Sequence, residues 1–478
     1  MTSHSICSVI LILLTTAFTG VDAAEYFVAK TGGDANDGRR ASSAFRTVQR
    51  GVDALKPGDT LTIAPGEYLE SVRRETIGAD GKVTTIRAEI PGTVVLRGDV
   101  PAPEFRRLDG YRFVYVADYS GDRSVASVNE LATLEIYDRM PSVAMLEFSP
   151  GAFHQDRTAE KIYVSTSSLE PAAAHTYTLS VTGEHGIYLR NAHGVVIEGL
   201  AVTGCNTAKQ IDRRQGTSRT VWGMFIYNGR NCVIRDCVAY LNGQGIGLRS
   251  SSEDSGDNVI EGCTAWGNAC RYGTGSRGGL TLFNPRRDVI RNCTAFRNSG
   301  YGADIYGGTG RAEDKSLLVN NLTWGNAHAD IKIKTGHDNV HQTVRCVAFQ
   351  PSNDYDPSHC LLGTANYRDV PRNNIVLDEE ENLDMKAEFA DPENHDYRLQ
   401  ATSRFRDAAP DGSDRGPIPY KANIFYVKPG GDDAADGLSV SSAWKNLERA
   451  FTMLKPGDTL YLLPGTHTAD AEIKVRGT

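Results

Sequence analysis

A phrase of about eight residues recurs six times between residues 196 and 349, at intervals of roughly 25 to 37 residues. Its clearest copy, residues 233–240, reads Val-Ile-Arg-Asp-Cys-Val-Ala-Tyr. Apolar and polar residues alternate in it as they do in a strand, and no helical period appears between copies. One copy is too short to bury a face alone, so the copies must stack on one another. The repeat therefore predicts a β-solenoid. The leucine-rich consensus is absent, and a propeller would need larger units with more strands.

Two residue types recur at fixed points of the phrase. Asparagines follow four of the copies, at Asn242, Asn268, Asn298 and Asn326, and cysteines lie within four, at Cys237, Cys263, Cys293 and Cys346. An asparagine at one corner can bond its own turn and the asparagine of the next coil. The cysteines show no paired metal-ligand spacing, so we expect a stack of buried free thiols rather than zinc sites or disulfides.

A second strand, usually opened by glycine, lies between successive phrases. Because side chains alternate across a strand, every second residue of these strands should point outward, in two columns that run along the solenoid. One column contains Tyr188, Phe225, Gly247, Thr281, Asp304 and Lys332, and the other contains Arg190, Tyr227, Arg249, Phe283, Tyr306 and Lys334. Aromatic side chains can stack on the apolar faces of sugar rings, and arginine side chains can bind carboxylates. Two interpretations remain: a carbohydrate-binding face, or a face covered by a long loop.

A stretch near the start of the chain is repeated near its end. Residues 28–68 align without a gap to residues 427–467. The stretch reads as a strand, an Asp/Gly turn and an amphipathic helix over residues 48–55, which we expect to cap the open end of the solenoid. We therefore predict a β-helix domain over residues 24–418 and the start of a second, truncated copy over residues 419–478. One capped coil cannot bury a core, so we expect either a fragment of a longer tandem protein or a docked tail.

The first residues resemble an export signal. Residues 6–19 are apolar but too short to span a bilayer, and small residues follow, so cleavage is expected before Ala24. Residues 1–23 are therefore predicted to be a signal peptide of a secreted or periplasmic protein, with no membrane segment elsewhere. The net charge of −8 argues against a nucleic-acid partner. We expect a monomer.

Asp304 and Lys332 are adjacent in the first column, and Asp330 lies one outward position before Lys332. Elimination from a uronate needs a base for the C5 proton and a cation that neutralises the neighbouring carboxylate. A lysine can be the base. Two other interpretations are open: a cross-strand ion pair between Asp304 and Lys332 on a solvated face, or a non-catalytic carbohydrate-binding or adhesion protein.

A third alternative is a glycoside hydrolase, which would use two carboxylates. These would be Asp304 with Asp330, or one of Glu253, Asp254 and Asp257.

The stretch from Tyr26 to Tyr68, with Thr31-Gly-Gly-Asp-Ala-Asn-Asp-Gly and Lys56-Pro-Gly-Asp-Thr, resembles the opening of secreted β-helix proteins of the pectate-lyase-like superfamily. Asp396-Tyr-Arg-Leu resembles their C-terminal cap. The resemblance implies an all-β fold, a right-handed parallel β-helix with an N-terminal capping helix. It covers most of residues 25–418 and does not specify an activity, because this fold hosts many.

Gly302-Ala-Asp304-Ile-Tyr and Lys332-Ile-Lys334 are similar to motifs of the family 9 polysaccharide lyases. The resemblance implies an acidic polysaccharide as substrate, Lys332 as base and calcium on Asp304. We expect Asp330 to share the calcium, and Arg249 and Lys334 to bind substrate carboxylates near the base. Gly300 and Tyr301 stand where that family has further aspartates. Tyr188, Arg190, Phe225, Tyr227, Phe283 and Tyr306 are the predicted substrate-binding residues.

Overall fold

The computed structural model describes residues 23–467 except for 132, 134, 169, 208–220, 269–277, 310, 320, 325, 327–328, 335–341, 345–346, 350–374, 378–387, 392–395, 401, 404–405, 407–423, 439, 441 and 455–458. Residues 1–22, which are all but the last residue of the predicted signal peptide, lie outside the described residues, as does Cys346 of the recurring phrase. In the described part of the chain, no helix is long and apolar enough to cross a membrane.

Three parallel sheets run along the molecule, and successive coils add one strand to each. Sheet A contains Glu25–Val28, Thr60–Ile63, Thr84–Ala88, Val195–Glu198, Val233–Arg235, Val259–Glu261, Val289–Arg291, Leu317–Val319 and Gln342–Val344. Sheet B contains Gly66–Leu69, Val94–Arg97, Leu200–Thr203, Val238–Tyr240, Thr264–Trp266, Thr294–Phe296, Leu322–Trp324, Val347–Phe349 and Ile375–Leu377. Sheet C contains Val72–Arg74, Ile187–Arg190, Met224–Tyr227, Ile246–Arg249, Leu280–Phe283, Tyr301–Tyr306 and Ala329–Lys334. The recurring phrase supplies one strand to sheet A and one to sheet B, with the cysteine between them.

The interior of this coil stack is a single apolar core, lined by side chains from all three sheets. Cys237, Cys263 and Cys293 lie in it as free, buried thiols, as predicted. Burial raises the pKa of Cys263 well above its ordinary value, because the charged thiolate would lose its solvation. These cysteines therefore act as compact apolar side chains.

The predicted asparagine ladder is present at the corner that follows sheet B. The side-chain amide of Asn268 donates to Oδ1 of Asn298 at 2.9 Å, and the amide of Asn298 donates to Oδ1 of Asn326 at the same distance. Each amide also donates to a carbonyl in the preceding coil, as Asn268 does to Ala239 at 3.0 Å. The column thus satisfies buried polar groups in every coil that it crosses.

The predicted capping helix runs over Val48–Ala54. Thr47 caps it through its side chain, which accepts from the backbone N–H of Arg50, while the two carboxylate oxygens of Glu70 accept from Val48 N and Gln49 N at 2.9 and 3.0 Å. Val48, Gly51 and Val52 are buried. The helix therefore covers the first coil with an apolar face, as expected.

The second copy of this unit has the same local structure. Strand Ile424–Val427 pairs in parallel with strand Thr459–Leu462, and the helix runs over Leu447–Met453. Asp433 accepts from the backbone N–H groups of Lys445 and Asn446, as Asp34 does from Arg46 and Thr47 in the first copy. The sequence repeat is thus also a repeat of structure.

An insertion with its own core interrupts the coils between residues 98 and 186, which the sequence analysis did not anticipate. One sheet contains Arg106–Arg107, Val114–Asp118, Asp138–Arg139, Ala152–Asp156 and Lys161–Ser165. The other contains Asp99–Pro101, Ser127–Glu130, Glu135–Ile136 and Tyr177–Ser180. All but one of the strand pairs are antiparallel. Among the described residues there are also a helical turn over Val143–Leu146 and 3-10 turns over Ala41–Ser43, Ala172–Ala174 and Ala312–Asp314. Two short strand pairs remain, Ile77–Gly78 with Ala192–His193, and Phe389–Asp391 with Asp396–Leu399.

Candidate functional site

The outward face of sheet C carries both predicted columns in the predicted register. The first column is paired strand by strand from Tyr188 through Phe225, Gly247, Thr281 and Asp304 to Lys332. The second is paired in the same way from Arg190 through Tyr227, Arg249, Phe283 and Tyr306 to Lys334. The alternate residues of these strands are buried in the core, from Ile187 to Ile331. The period-2 reading of these strands is therefore confirmed.

An aromatic cluster forms the first half of the first column. The ring of Trp222 lies parallel to Phe225 at 5.0 Å, and His185 stacks on Tyr188 at 5.1 Å. A Cβ atom added to Gly247 would lie 2.6 Å from the Trp222 ring, so only glycine leaves room for the indole over this strand. Trp222 was missed by the sequence analysis, although a glycine in a column of large residues was a signal for a covering ring.

Arginines and aromatic rings alternate along the second column. The guanidinium of Arg249 lies 4.5 Å from the centre of the Phe283 ring and 5.3 Å from that of Tyr227. Arg190 lies 5.4 Å from the Tyr227 ring, and Phe283 stacks on Tyr306 at 5.1 Å. A guanidinium that stacks by its face keeps its in-plane N–H groups for hydrogen bonds. The Nε of Arg249 donates to Ser251 at 3.2 Å.

Asp304 and Lys332 are direct cross-strand neighbours, as predicted, but Asp304 is not in water. Its side chain is 1% exposed, and its Oδ1 accepts a 2.6 Å hydrogen bond from the Thr281 hydroxyl of the preceding coil. Lys332 is half-buried, and its Nζ donates to the Tyr301 hydroxyl and lies 3.9 Å from the centre of that ring. The end of the column is thus a packed polar cluster of Thr281, Asp304, Tyr301 and Lys332.

The prediction that Asp330 points outward beside Lys332 is wrong. Its Oδ1 accepts from the backbone N–H of Asn326 at 3.1 Å and from the side-chain amide of Asn326 at 2.7 Å. Asp330 is 4% exposed. Asp330 lies at the coil corner, directly before the buried Ile331. At this corner the hydrogen bonds from Asn326 orient its carboxylate toward the asparagine ladder. Within the described residues, Asp330 is therefore the acceptor at the C-terminal end of that ladder.

The residues proposed for calcium do not fit the ion. Calcium takes six to eight oxygen ligands, commonly several carboxylates at one point. Oδ1 of Asp304 accepts from the Thr281 hydroxyl and Oδ1 of Asp330 accepts from the Asn326 amide, so each carboxylate is engaged by the coil stack. Within the described ranges, no group of three or more His, Cys, Asp or Glu side chains could hold a metal.

Of the remaining predicted carboxylates, one serves another contact and two are exposed. Asp257 forms a two-point ion pair with Arg287, at 2.6 and 2.7 Å. Asp254 and Glu253 are exposed. The strand that contains Lys334 is described, but its side chain lies outside the described residues.

Comparison with known proteins concerns the fold. The family described as "Right handed beta helix region" matches residues 162–346. Pectate lyase Pel9A is similar at 12% identity and a TM-score of 0.46, over 84% of this chain and 98% of that chain. A glycoside hydrolase is similar at 12% identity and a TM-score of 0.45, over 74% and 96%.

XylC, in a complex with xylose, is similar at 14% identity and a TM-score of 0.43, over 68% of this chain and 65% of that chain. This chain therefore spans less than two thirds of XylC. No curated protein matches its sequence. The family match and the three parallel sheets confirm the expected architecture: the fold is an all-β, right-handed parallel β-helix.

Proposed function

We propose that this protein binds an acidic polysaccharide along the outward face of sheet C and cleaves it by β-elimination, with Lys332 as the base. The observation that carries the proposal is the continuity of the second column, whose described side chains are part-exposed or exposed on every coil. Aromatic rings and arginines line successive coils, and the same face ends at the cluster of Asp304, Tyr301 and Lys332. A long chain of sugars can follow such a face from coil to coil.

The binding half of the proposal rests on how the arginines are held. Arg249 lies between the rings of Tyr227 and Phe283, which fix its plane. A fixed guanidinium loses little conformational entropy when it binds a planar carboxylate by two hydrogen bonds. The rings beside it offer apolar surface to the faces of sugar rings. Uronate residues present both features, a carboxylate and a ring face.

The chemical half rests on the contact of Lys332 with Tyr301. In the elimination, the neutral amine of Lys332 takes the C5 proton, the C4–O4 bond breaks, a C4–C5 double bond forms and a proton returns to the leaving oxygen. The tyrosine hydroxyl orients the amine by accepting its hydrogen bond. Asp304, which Thr281 holds in place, lies opposite Lys332 on the neighbouring strand and acts as a positioning residue. No step is assigned to calcium.

The extracellular or periplasmic location is proposed from the predicted signal peptide alone. The apolar segment over residues 6–19 supports export to the periplasm or the medium, where polysaccharides are found.

The test is incubation with a panel of uronate polymers, following the ultraviolet absorbance of the unsaturated product and, separately, new reducing ends. We expect absorbance from the wild type and a loss of at least about 100-fold in Lys332→Ala. Lys315→Ala, at an exposed lysine, is the matched control. New reducing ends without absorbance would show hydrolysis, and retention on a polymer without either product would show binding alone. Either result, or an active Lys332→Ala variant, overturns the elimination.

A further inference from the structure

A buried carboxylate forms the centre of the insertion. Glu130 ends the strand Ser127–Glu130, and its side chain is 0% exposed. Its Oε2 accepts from the hydroxyls of Tyr137 and Ser167, the latter at 2.9 Å. Burial raises the pKa of Tyr137, which keeps this phenol a donor. Oε1 has no well-aligned hydrogen bond, but it lies 3.0 Å from Nδ1 of His175, a side chain that is only 6% exposed.

The same histidine links the carboxylate to a serine at the surface. A carboxylate oxygen only accepts, so Nδ1 of His175 is the ring nitrogen that carries a proton facing Glu130. Nε2 is then an acceptor, and the Ser168 hydroxyl lies 3.1 Å from it. Ser168 is exposed. The order is therefore hydroxyl, imidazole, buried carboxylate, in which the third group orients the second and the second can take a proton from the first.

The loop that carries Ser168 is fixed at both ends. The Thr166 hydroxyl donates to the Glu170 carbonyl at 2.9 Å, which closes the loop on itself. The backbone N–H of Ser167 donates to the Tyr137 hydroxyl at 3.1 Å. His175 in turn follows the 3-10 turn Ala172–Ala174, and its ring lies against Tyr177 at 6.0 Å. Buried neighbours therefore fix the positions of both the Ser168 loop and the His175 ring.

We propose that Ser168, His175 and Glu130 form a second active site, which hydrolyses esters. Ser168 Oγ attacks the ester carbonyl while its proton passes to His175 Nε2, and the C–O bond to the alcohol breaks as that proton passes to the leaving oxygen. Water then cleaves the acyl-serine by the same route, which returns the free carboxylic acid. Because Ser168 is exposed rather than enclosed, the site suits a small acyl group carried on a large molecule.

Glu170 is the rival partner of the histidine. Its Oε2 lies 3.7 Å from His175 Nε2 and its side chain is 65% exposed. If this contact dominates, His175 is a protonated bridge between two carboxylates, and Ser168 is an ordinary surface serine. The two arrangements predict opposite behaviour of the Ser168 hydroxyl toward a serine-directed reagent.

The experiment uses the full chain with p-nitrophenyl acetate as substrate and a fluorophosphonate as the serine-directed probe. We expect saturable release of p-nitrophenol and one labelled peptide that contains Ser168. Ser168→Ala should lose the label and at least about 100-fold in kcat/KM. Ser142→Ala, at an exposed serine of the same insertion whose side chain makes no cap, should retain both.

His175→Asn should lose the label as well, while Glu170→Gln should retain it. For Glu130→Gln, whose carboxylate is buried, near-ultraviolet circular dichroism checks the fold. A folded variant with lowered kcat and an altered pH profile is the expected result. A wild type without label, a label on another serine, or full activity in Ser168→Ala overturns the proposal. Since sheet C is not involved, Lys332→Ala should keep the esterase, so the two proposals fail independently.

Discussion

Asp288 makes the stability of the coil stack depend on pH. It precedes the strand Val289–Arg291, and its Oδ1 accepts from the backbone and side-chain N–H groups of Asn258, at 2.8 and 2.9 Å. Its Oδ2 accepts from the Ser250 hydroxyl at 3.2 Å. The carboxylate is nonetheless fully buried, and this loss of solvation outweighs the hydrogen bonds and raises its pKa from 3.8 to about 6.

The direction of the pH dependence of unfolding is set by whether the folded or the unfolded protein binds the Asp288 proton more tightly. The folded protein does, because the pKa of Asp288 is higher there than in the unfolded chain. This group therefore stabilises the fold fully below about pH 4, and that contribution is lost as pH rises through about 6. At 1.36 kcal/mol per pKa unit the whole effect is about 3 kcal/mol, of which about 1 kcal/mol is lost between pH 5 and pH 8.

The measurement is urea unfolding of the wild type and Asp288→Asn at pH 5, 6, 7 and 8, followed by tryptophan fluorescence. The amide cannot ionise, so the free energy of unfolding of the wild type should fall by about 1 kcal/mol relative to the variant over this range. Asp254→Asn, at an exposed aspartate, should follow the wild type at every pH. A difference between wild type and Asp288→Asn that stays constant or changes in the opposite direction would refute the reasoning.

Three further predictions concern the coil stack. Asn268→Ala leaves the buried N–H groups of Asn242 without an acceptor and should cost about 1–3 kcal/mol of unfolding free energy, so an unchanged urea midpoint would contradict the ladder's role. Gly247→Ala places a methyl group 2.6 Å from the Trp222 ring. The ring must move, and the near-ultraviolet circular dichroism of tryptophan should weaken; an unaltered spectrum would show that the indole is not held there. Cys263, whose thiol is buried with a raised pKa, should resist iodoacetamide in native protein and react after denaturation, as peptide mass spectrometry can check.

Periodicity made the sheet C columns predictable, because the alternation within each strand and the repeat between coils both constrain the register. The pairing of Asp304 with Lys332 follows from those two facts alone. The orientation of Asp330 does not, since a residue at a corner can turn toward the ladder or away from it, and only the position of Asn326 decides.

The insertion lacked any such signal. Its strands pair across long and unequal separations, as Ser127 does with Ser180, so no repeat marks them. The histidine of the proposed esterase site is likewise far from Glu130 in sequence and near it only in the fold. Tyr301 was noted only as a substitution for an expected aspartate, and its contact with Lys332 depends on how the lysine side chain bends.

The asparagine ladder has a polarity. Each side-chain amide from Asn242 to Asn326 donates toward the C-terminal end of the stack, so the amide dipoles add head to tail. The positive end of this line of dipoles faces Asp330, much as the first turn of a helix faces an anion. A carboxylate that would be costly in an apolar part of the interior is thus favoured at this end of the described ladder. The negative charge of Asp330 therefore balances the positive end of the asparagine ladder.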